Sequence, residues 1–239
     1  VITHGTDILE EIAYLVDELL PLRVPVIFTG AMRPAWATDY DGIRNVENAL
    51  RLALKVSPDY GVLVTMNNEI FEAWSVYKSD TGALNGFTAR RGAPSGRIVA
   101  HQPELPWRPA PRQRFGRIPQ SLPLSVPILT MGVGDDVIFL DLDLAAAPSV
   151  QGLVIAGMGA GSIPPVAYDR VMGLAKRGVP VILCSSAVSG NTAEENYYPG
   201  SYDTLRSAGI QIENHLNARK TRIRLLLSLG LGLPYSPFG

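Results

Sequence analysis

The chain has 239 residues, a formal net charge of −1 and a hydrophobic content of 46%. This length is enough for a sizeable core, in one large domain or two smaller ones. The near-zero charge argues against a nucleic-acid partner, and no apolar run reaches the roughly 20 residues that a membrane span needs. A single cysteine, Cys184, excludes an intrachain disulfide, and the three scattered histidines lack metal-ligand spacing, so we expect no metal site.

The first half of the chain alternates between apolar strands and amphipathic helices, which is the pattern of a doubly wound sheet. We predict a strand at the start of the chain, helices over 8–20 and 42–54, strands over 24–30 and 60–68, and a short strand pair or loop over 69–81. Each strand runs into polar residues at its end, where parallel α/β sheets bind their ligands.

Prolines and arginines recur through residues 102–124, which predicts an extended linker. We therefore divide the chain into a first α/β domain over 1–101 and a second over 125–239. In the second domain we predict strands over 126–131, 151–156 and 179–184 and helices over 165–177 and 217–229. Its Gly157-x-Gly159-x-Gly161 segment lacks the spacing of a dinucleotide loop and indicates a tight strand-to-helix turn.

Thr6 and Asp7 follow the opening strand and precede a helix, so they are candidates for chemistry at the sheet edge. The pattern by itself favours a simpler interpretation, in which one of them caps the helix. Lys78 likewise has two interpretations. It is either a functional residue at the end of a strand or, as is usual for lysine, a solvated side chain on an edge strand.

Five motifs, taken in order and spacing, resemble the bacterial-type L-asparaginase/glutaminase family. They are His4-Gly5-Thr6-Asp7, Gly30-Ala31-Met32-Arg33-Pro34, Asp41-Gly42, Val64-Thr65-Met66-Asn67-Asn68-Glu69 and Val76-Tyr77-Lys78-Ser79-Asp80-Thr81. The second half of the chain resembles the family as well, through Ala156-Gly157-Met158-Gly159-Ala160-Gly161, Pro164-Pro165, Ser185-Ser186 and Leu216-Asn217-Ala218-Arg219-Lys220. The resemblance covers essentially the whole chain. It implies a two-domain asparaginase-like fold, with a parallel, flavodoxin-like first sheet and a smaller parallel α/β second domain.

The resemblance assigns Thr6, Asp7 and Lys78 to one catalytic triad and implies no cofactor. A threonine hydroxyl is a weak nucleophile unless a base takes its proton, and a desolvated lysine can be that base. By the same resemblance Asp7 orients the lysine and binds the α-ammonium group of the substrate, while the backbone of Ala31 contacts the scissile amide.

Further site residues come, by resemblance, from a neighbouring subunit in a dimer of intimate dimers. The candidates are Ala160, Ser162, Glu194 and Glu195. The family also has a first nucleophilic threonine and a tyrosine-bearing lid that fall ahead of His4. We expect the natural N-terminus, with any targeting signal, to lie upstream, which leaves a cytoplasmic, periplasmic or secreted location open. Ile8 replaces the threonine that commonly follows the aspartate.

The sequence thus predicts an amidohydrolase that converts L-asparagine, and also L-glutamine as a second candidate substrate, to the acid and ammonia through a threonine acyl-enzyme. The expected partners are a small-molecule substrate and further copies of the chain, with no nucleic acid and no membrane. Two alternatives stay open. One is a non-catalytic amino-acid-binding relative, and the other is the asparaginase-like subunit of a tRNA-dependent amidotransferase.

Overall fold

The computed structural model describes residues 1–90, 92–106, 112–123, 125–141, 150–192 and 197–238. The chain forms two compact units, Val1–Ile118 and Pro119–Gly239. Their boundary lies within the proline-rich segment 102–124. In the described part of the chain, no helix is both long and apolar enough to cross a membrane.

The first unit contains a six-stranded sheet in the order β1-β2-β3-β4-β7-β8. Its strands are β1 (Ile2–Thr3), β2 (Val26–Thr29), β3 (Val62–Met66), β4 (Glu69–Glu72), β7 (Gly96–Val99) and β8 (Gln102–Glu104). A separate hairpin consists of β5 (Val76–Lys78) and β6 (Phe87–Ala89). Strands β1, β2 and β3 are parallel, so the segments that follow them meet at one edge of the sheet.

The other half of this sheet is antiparallel, which the predicted parallel first sheet did not include. The strand direction reverses because of the turn between β3 and β4. Asn67 and Asn68 join β3 to β4, and both have left-handed backbone conformations, with φ of 46° and 65°. Two consecutive residues with positive φ make the tight turn that suits antiparallel strands.

Strand β8 lies in the segment that we expected to be linker. Pro103 can occupy this strand because β8 is the outermost in the sheet, where a missing N–H removes no ladder bond. Lys55 Nζ donates a 2.6 Å hydrogen bond to the Pro103 carbonyl. The first sheet therefore extends to residue 104.

Two helices pack on this sheet, α1 (Leu9–Leu19) and α2 (Gly42–Lys55), with a short 3-10 turn at Pro58–Tyr60 before β3. The helix predicted over 8–20 begins at Leu9, and Ile8 ahead of it is 48% exposed. The residues of α1 that are buried are Leu9, Glu10, Ala13, Tyr14, Asp17 and Glu18. Three carboxylates are thus buried on α1, which requires partners inside the protein.

Arginines from the segment after β8 provide the partners of Asp17. Asp17 forms ion pairs with Arg112 and Arg114, and it also accepts a 2.9 Å hydrogen bond from the backbone N–H of Val62. Glu72 lies 3.7 Å from Arg112. Burial lowers the pKa of Arg114, while the charges of Glu18 and Glu72 act in the opposite direction.

The second unit contains a four-stranded parallel sheet in the order β12-β11-β10-β9. Its elements are β9 (Ile128–Thr130), a 3-10 turn (Ile138–Asp141), β10 (Leu153–Gly157), α3 (Pro165–Lys176), β11 (Val181–Ser185), α4 (Tyr202–Ser207), β12 (Gln211–Glu213) and α5 (Ala218–Gly230). Every residue of β10 and β11 is buried, as expected for strands covered on both faces. Cys184 is buried in β11, in agreement with its predicted position.

Candidate active site

The turn from His4 to Asp7 is fixed by the neighbouring strand. The His4 backbone N–H donates a 2.9 Å hydrogen bond to the Thr29 carbonyl at the end of β2. Helix α1 has Ile8 as its N-cap residue, which has no capping side chain. Thr6 and Asp7 therefore stand ahead of the helix, and the helix-cap interpretation does not describe them.

Lys78 lies at the end of β5 and reaches this turn. Its Nζ donates a 2.8 Å hydrogen bond to Thr6 Oγ1 and lies 3.4 Å from Asp7 Oδ1. The lysine side chain is 17% exposed, whereas that of Asp7 is 96% exposed. An ion pair with such an exposed carboxylate is weak, so the contact with Thr6 is the more defined of the two.

A buried carboxylate holds the backbone of the same lysine. The Lys78 N–H donates a 3.1 Å hydrogen bond to Oε2 of Glu10, which is 1% exposed. This contact was not predicted, because an interaction between residues 68 positions apart leaves no local sequence pattern. Glu10 links the helix that follows Thr6 and Asp7 to the strand that carries Lys78.

Ala31 lies in the loop after β2, beside the His4 turn. A Cβ atom at residue 30 would lie only 2.5 Å from the His4 carbonyl oxygen, so the two turns approach closely because residue 30 is glycine. Both turns line a cavity of about 270 Å³, together with Tyr40. The arrangement gives a small molecule access to the backbone of Ala31.

Side chains at the start of α2 hold this loop. Asp41 accepts hydrogen bonds from the backbone N–H groups of Met32, at 3.1 Å, and Arg33, at 3.0 Å. The Arg33 side chain also donates to Asp39 at 2.7 Å and to the Gly82 carbonyl. The Arg33 guanidinium holds the pKa of the exposed Asp39 carboxyl below its ordinary value.

Asp80 organises the turn that follows Lys78. Its Oδ1 accepts hydrogen bonds of 2.7 Å from the backbone N–H groups of Gly82 and Ala83. These two hydrogen bonds lower the pKa of Asp80. The polar run after Lys78 is therefore a side-chain-capped turn of the β5–β6 hairpin.

The residues that the resemblance assigned to a neighbouring subunit belong to the second unit. Met158 and Ser162 form an isolated β-bridge around the glycine turn, and the Ser185 hydroxyl donates a 2.6 Å hydrogen bond to the Gly159 carbonyl. Ser162 is 6% exposed, which leaves the half-buried Ala160 as the more accessible residue of the turn. Glu194 and Glu195 lie outside the described residues.

The residues expected at the site thus fall into two sets. Thr6, Asp7 and Lys78 come together, and Ala31 lies in the adjacent turn of the same unit. Over the ranges that the structure describes, there is no group of three or more His, Cys, Asp or Glu side chains that could hold a metal ion. Thr6, Lys78, Asp7 and the backbone of Ala31 offer a ligand a hydroxyl, an amine, a carboxylate and main-chain polar groups.

Two protein-family models match the sequence. The N-terminal asparaginase model matches residues 1–111, and the glutaminase/asparaginase C-terminal domain model matches residues 125–236. The fold and the conjunction of a threonine, an aspartate and a lysine at the sheet edge define a two-domain α/β protein with the asparaginase architecture. The chain belongs to the asparaginase family.

Relatives of known name support this assignment. A probable L-asparaginase of Deinococcus radiodurans is 36% identical over 97% of this chain and 71% of its own length. A probable periplasmic L-asparaginase of Haemophilus influenzae is 32% identical over 96% of this chain and 65% of its own length. The crystal structure of a probable cytoplasmic L-asparaginase from Campylobacter jejuni has a TM-score of 0.81 at 31% identity, over 95% of this chain and 72% of that one.

Proposed function

We propose that this protein is an amidohydrolase that converts the side-chain amide of L-asparagine to L-aspartate and ammonia. The observation that carries the proposal is the 2.8 Å contact between Lys78 Nζ and Thr6 Oγ1. It supplies a hydroxyl with a nitrogen base at hydrogen-bond distance, which is the geometry that nucleophilic catalysis requires. Relatives named L-asparaginase support the substrate, and one named glutaminase-asparaginase makes L-glutamine a second candidate.

The chemistry follows from these groups. Lys78 Nζ takes the proton of the Thr6 hydroxyl while the oxygen adds to the amide carbon. The carbon–nitrogen bond then breaks, the proton goes to the departing nitrogen, and ammonia leaves behind an ester on the threonine. Water hydrolyses this ester to L-aspartate and restores the hydroxyl.

Asp7 and Ala31 hold the substrate in this scheme. The exposed carboxylate of Asp7 is a partner for the α-ammonium group of an amino acid, and it lies 3.4 Å from Lys78 Nζ. Ala31 offers backbone polar groups at the edge of the cavity beside the His4 turn. The substrate would thus be bound at its ammonium group and at its amide.

The function is tested by ammonia release from L-asparagine. Thr6→Val removes the hydroxyl and nearly keeps the shape, so it should reduce turnover by at least about 100-fold. Thr88→Val, in β6 of the same unit, is the matched control and should stay close to wild type. Mass spectrometry of quenched reactions would locate the acyl group. Full activity of Thr6→Val, or an acyl group on the first nucleophilic threonine that the resemblance places ahead of His4, would overturn the assignment of Thr6 as the acylated residue.

We further propose that the chain works as a homo-oligomer, a dimer of intimate dimers in which the turn around Ala160 serves a neighbouring subunit's site. Large exposed apolar side chains support an interface, including Trp36 at 87%, Leu54 at 91% and Tyr197 at 83% exposure. Light scattering should give four times the mass of the chain. A monomer that retains full activity would contradict the shared site.

A further inference from the structure

Asp41 occupies the N-cap position of α2 but does not cap the helix. Its carboxylate instead turns back to the loop after β2, where it binds the backbone N–H groups of Met32 and Arg33 at 3.1 and 3.0 Å. The residue is only 2% exposed. A buried carboxylate with two backbone donors from another segment holds that segment firmly, because charged hydrogen bonds are stronger than neutral ones.

Asn45, one helical turn later, completes the contact. Its amide nitrogen donates to Asp41 Oδ2 at 2.9 Å and to the Gly30 carbonyl at 3.0 Å. Its amide oxygen accepts from the backbone N–H of Asn67 at 3.3 Å. Asn45 is 1% exposed and thereby joins the loop after β2 to the turn after β3.

These contacts fix the direction of the Ala31 carbonyl, which neither side chain touches. The peptide unit between Ala31 and Met32 is planar and trans, so its C=O points opposite to its N–H. Because the Met32 N–H points at Asp41, the Ala31 carbonyl is directed away from Asp41. The hydrogen bond to the Gly30 carbonyl fixes the preceding peptide unit in the same way.

We propose that Asp41 and Asn45 are positioning residues that orient the Ala31 carbonyl for the scissile amide of the substrate. The proposal rests on the proposed amidohydrolase function and on the role of Ala31 within it. Neither residue contacts the reacting atoms. They act through the backbone, since loss of either would let the two peptide units rotate, and a displacement of about 1 Å at a reacting group costs on the order of 100-fold in rate.

The test uses two isosteric substitutions. Asp41→Asn places an NH2 group opposite one of the two backbone N–H donors, and Asn45→Asp replaces two donated hydrogen bonds with a second carboxylate. The matched controls make the same chemical changes nearby. Asp39→Asn alters the exposed partner of Arg33, and Asn48→Asp alters a buried asparagine of α2, 2% exposed, that binds Asn68 at 2.8 Å instead of the loop.

With L-asparagine, both substitutions should lower kcat by at least about tenfold and change KM much less, because the Ala31 contact acts at the reacting centre. Both controls should stay within about twofold of wild type in kcat. This should hold even if urea unfolding shows that Asn48→Asp loses as much stability as Asp41→Asn and Asn45→Asp. If Asp41→Asn does not fold, Asn45→Asp provides the same test. Near-native kcat in the test variants, or an equal loss in Asn48→Asp, would overturn the proposal.

A second readout does not depend on turnover. Hydrogen exchange followed by mass spectrometry should show faster exchange of the backbone amides of Met32 and Arg33 in both test variants and no change there in the controls. If the wild-type protein released no ammonia from asparagine, the proposed function would fail. Unchanged exchange of these two amides in Asp41→Asn and Asn45→Asp would, independently, show that the two residues do not position the loop.

Discussion

The backbone N–H of Lys78 donates a 3.1 Å hydrogen bond to the carboxylate of Glu10, which is buried in the first turn of α1. Removing this acceptor leaves a part-buried backbone donor without its partner, which costs about 1–3 kcal/mol. Glu10→Ala should therefore lower both stability and ammonia release, whereas Glu10→Gln, which keeps an acceptor, should retain more of each. Urea unfolding and initial rates measure the two effects. Glu47→Ala, on the exposed side of α2, is the control, and equal behaviour of Glu10→Ala and Glu47→Ala would contradict the role of Glu10.

Lys78→Met should nearly abolish turnover and leave the fold intact. The substitution roughly preserves the length and the apolar stem of the side chain. It removes Nζ, the atom through which Lys78 contacts the Thr6 hydroxyl. General-base catalysis contributes about 10²–10⁴-fold in rate, so a loss of this size is expected. Lys176→Met, at the exposed end of α3, should have no such effect. A folded Lys78→Met protein with near-native ammonia release would exclude the lysine as the base.

Gly30→Ala should destabilise the protein, since the new methyl group would meet the His4 carbonyl oxygen at 2.5 Å and that oxygen belongs to the backbone. Overpacking of this kind costs about 1–3 kcal/mol. Gly173→Ala offers a control of opposite sign. This residue lies inside α3, where an added Cβ would make only an ordinary 3.9 Å contact with the Arg177 side chain, so the substitution should stabilise by about 0.5–1 kcal/mol. Thermal unfolding of both variants tests the contrast, and an unchanged melting temperature for Gly30→Ala would refute the close approach.

Asp17→Ala should be among the most damaging substitutions in the first unit. It would leave the half-buried Arg112 and Arg114 without their shared carboxylate and the Val62 N–H without its acceptor. Breaking a buried ion pair on one side costs about 3–5 kcal/mol. The exposed Asp59 provides the control, Asp59→Ala, which should change stability by less than about 0.5 kcal/mol. Chemical denaturation distinguishes the two, and a small effect at Asp17 would mean that the arginines find other partners.

Glu72 should make stability depend on pH. Burial raises the pKa of its carboxyl, and this outweighs the opposing hydrogen bond from Trp74 and the charge of Arg114. The protonated form is thus favoured in the folded state. Its contribution to stability is fully present below the unfolded pKa of about 4.3 and is lost as the pH rises through the higher folded value.

Glu72→Gln keeps the shape without ionising, so it should avoid this loss. Its free energy of unfolding, relative to that of the wild type, is expected to rise as the pH increases from about 4 to 7. Urea titrations at several pH values within this range provide the measurement. A difference that stays constant with pH would show that the carboxyl ionises equally easily in the folded and unfolded states.

Strong local periodicity explains which parts of the fold were predictable. Both central strands of the second unit and the helices α1, α2, α3 and α5 were placed within about two residues by their apolar patterns. The short strands β7 and β8 were missed because four and three residues give too little periodicity, and Pro103 argued against a strand. The burial of Asp17 on α1 was not predicted, because its partner Arg114 lies 97 residues later in the chain.

The candidate site also contains residues that were predicted from the sequence and residues that were not. Thr6, Asp7 and Lys78 were identified through motifs, since chemically demanding positions allow few residue types. Asp41 was predicted only as part of a family motif at the start of a helix. Its hydrogen bonds to the backbone of residues 32 and 33 have no signature in the sequence, because they depend on how the loop folds back to the helix.

The charged face of α1 has a consequence for the order of events during synthesis. The helix ends at Leu19, yet Arg114 lies 97 residues after the Asp17 that it neutralises. Until that arginine has left the ribosome, burying α1 on the emerging sheet would place carboxylates in an apolar environment without counter-charges. We therefore expect nascent chains arrested before residue 112 to keep this helix accessible to protease, and chains extended past residue 114 by the length of the exit tunnel to protect it.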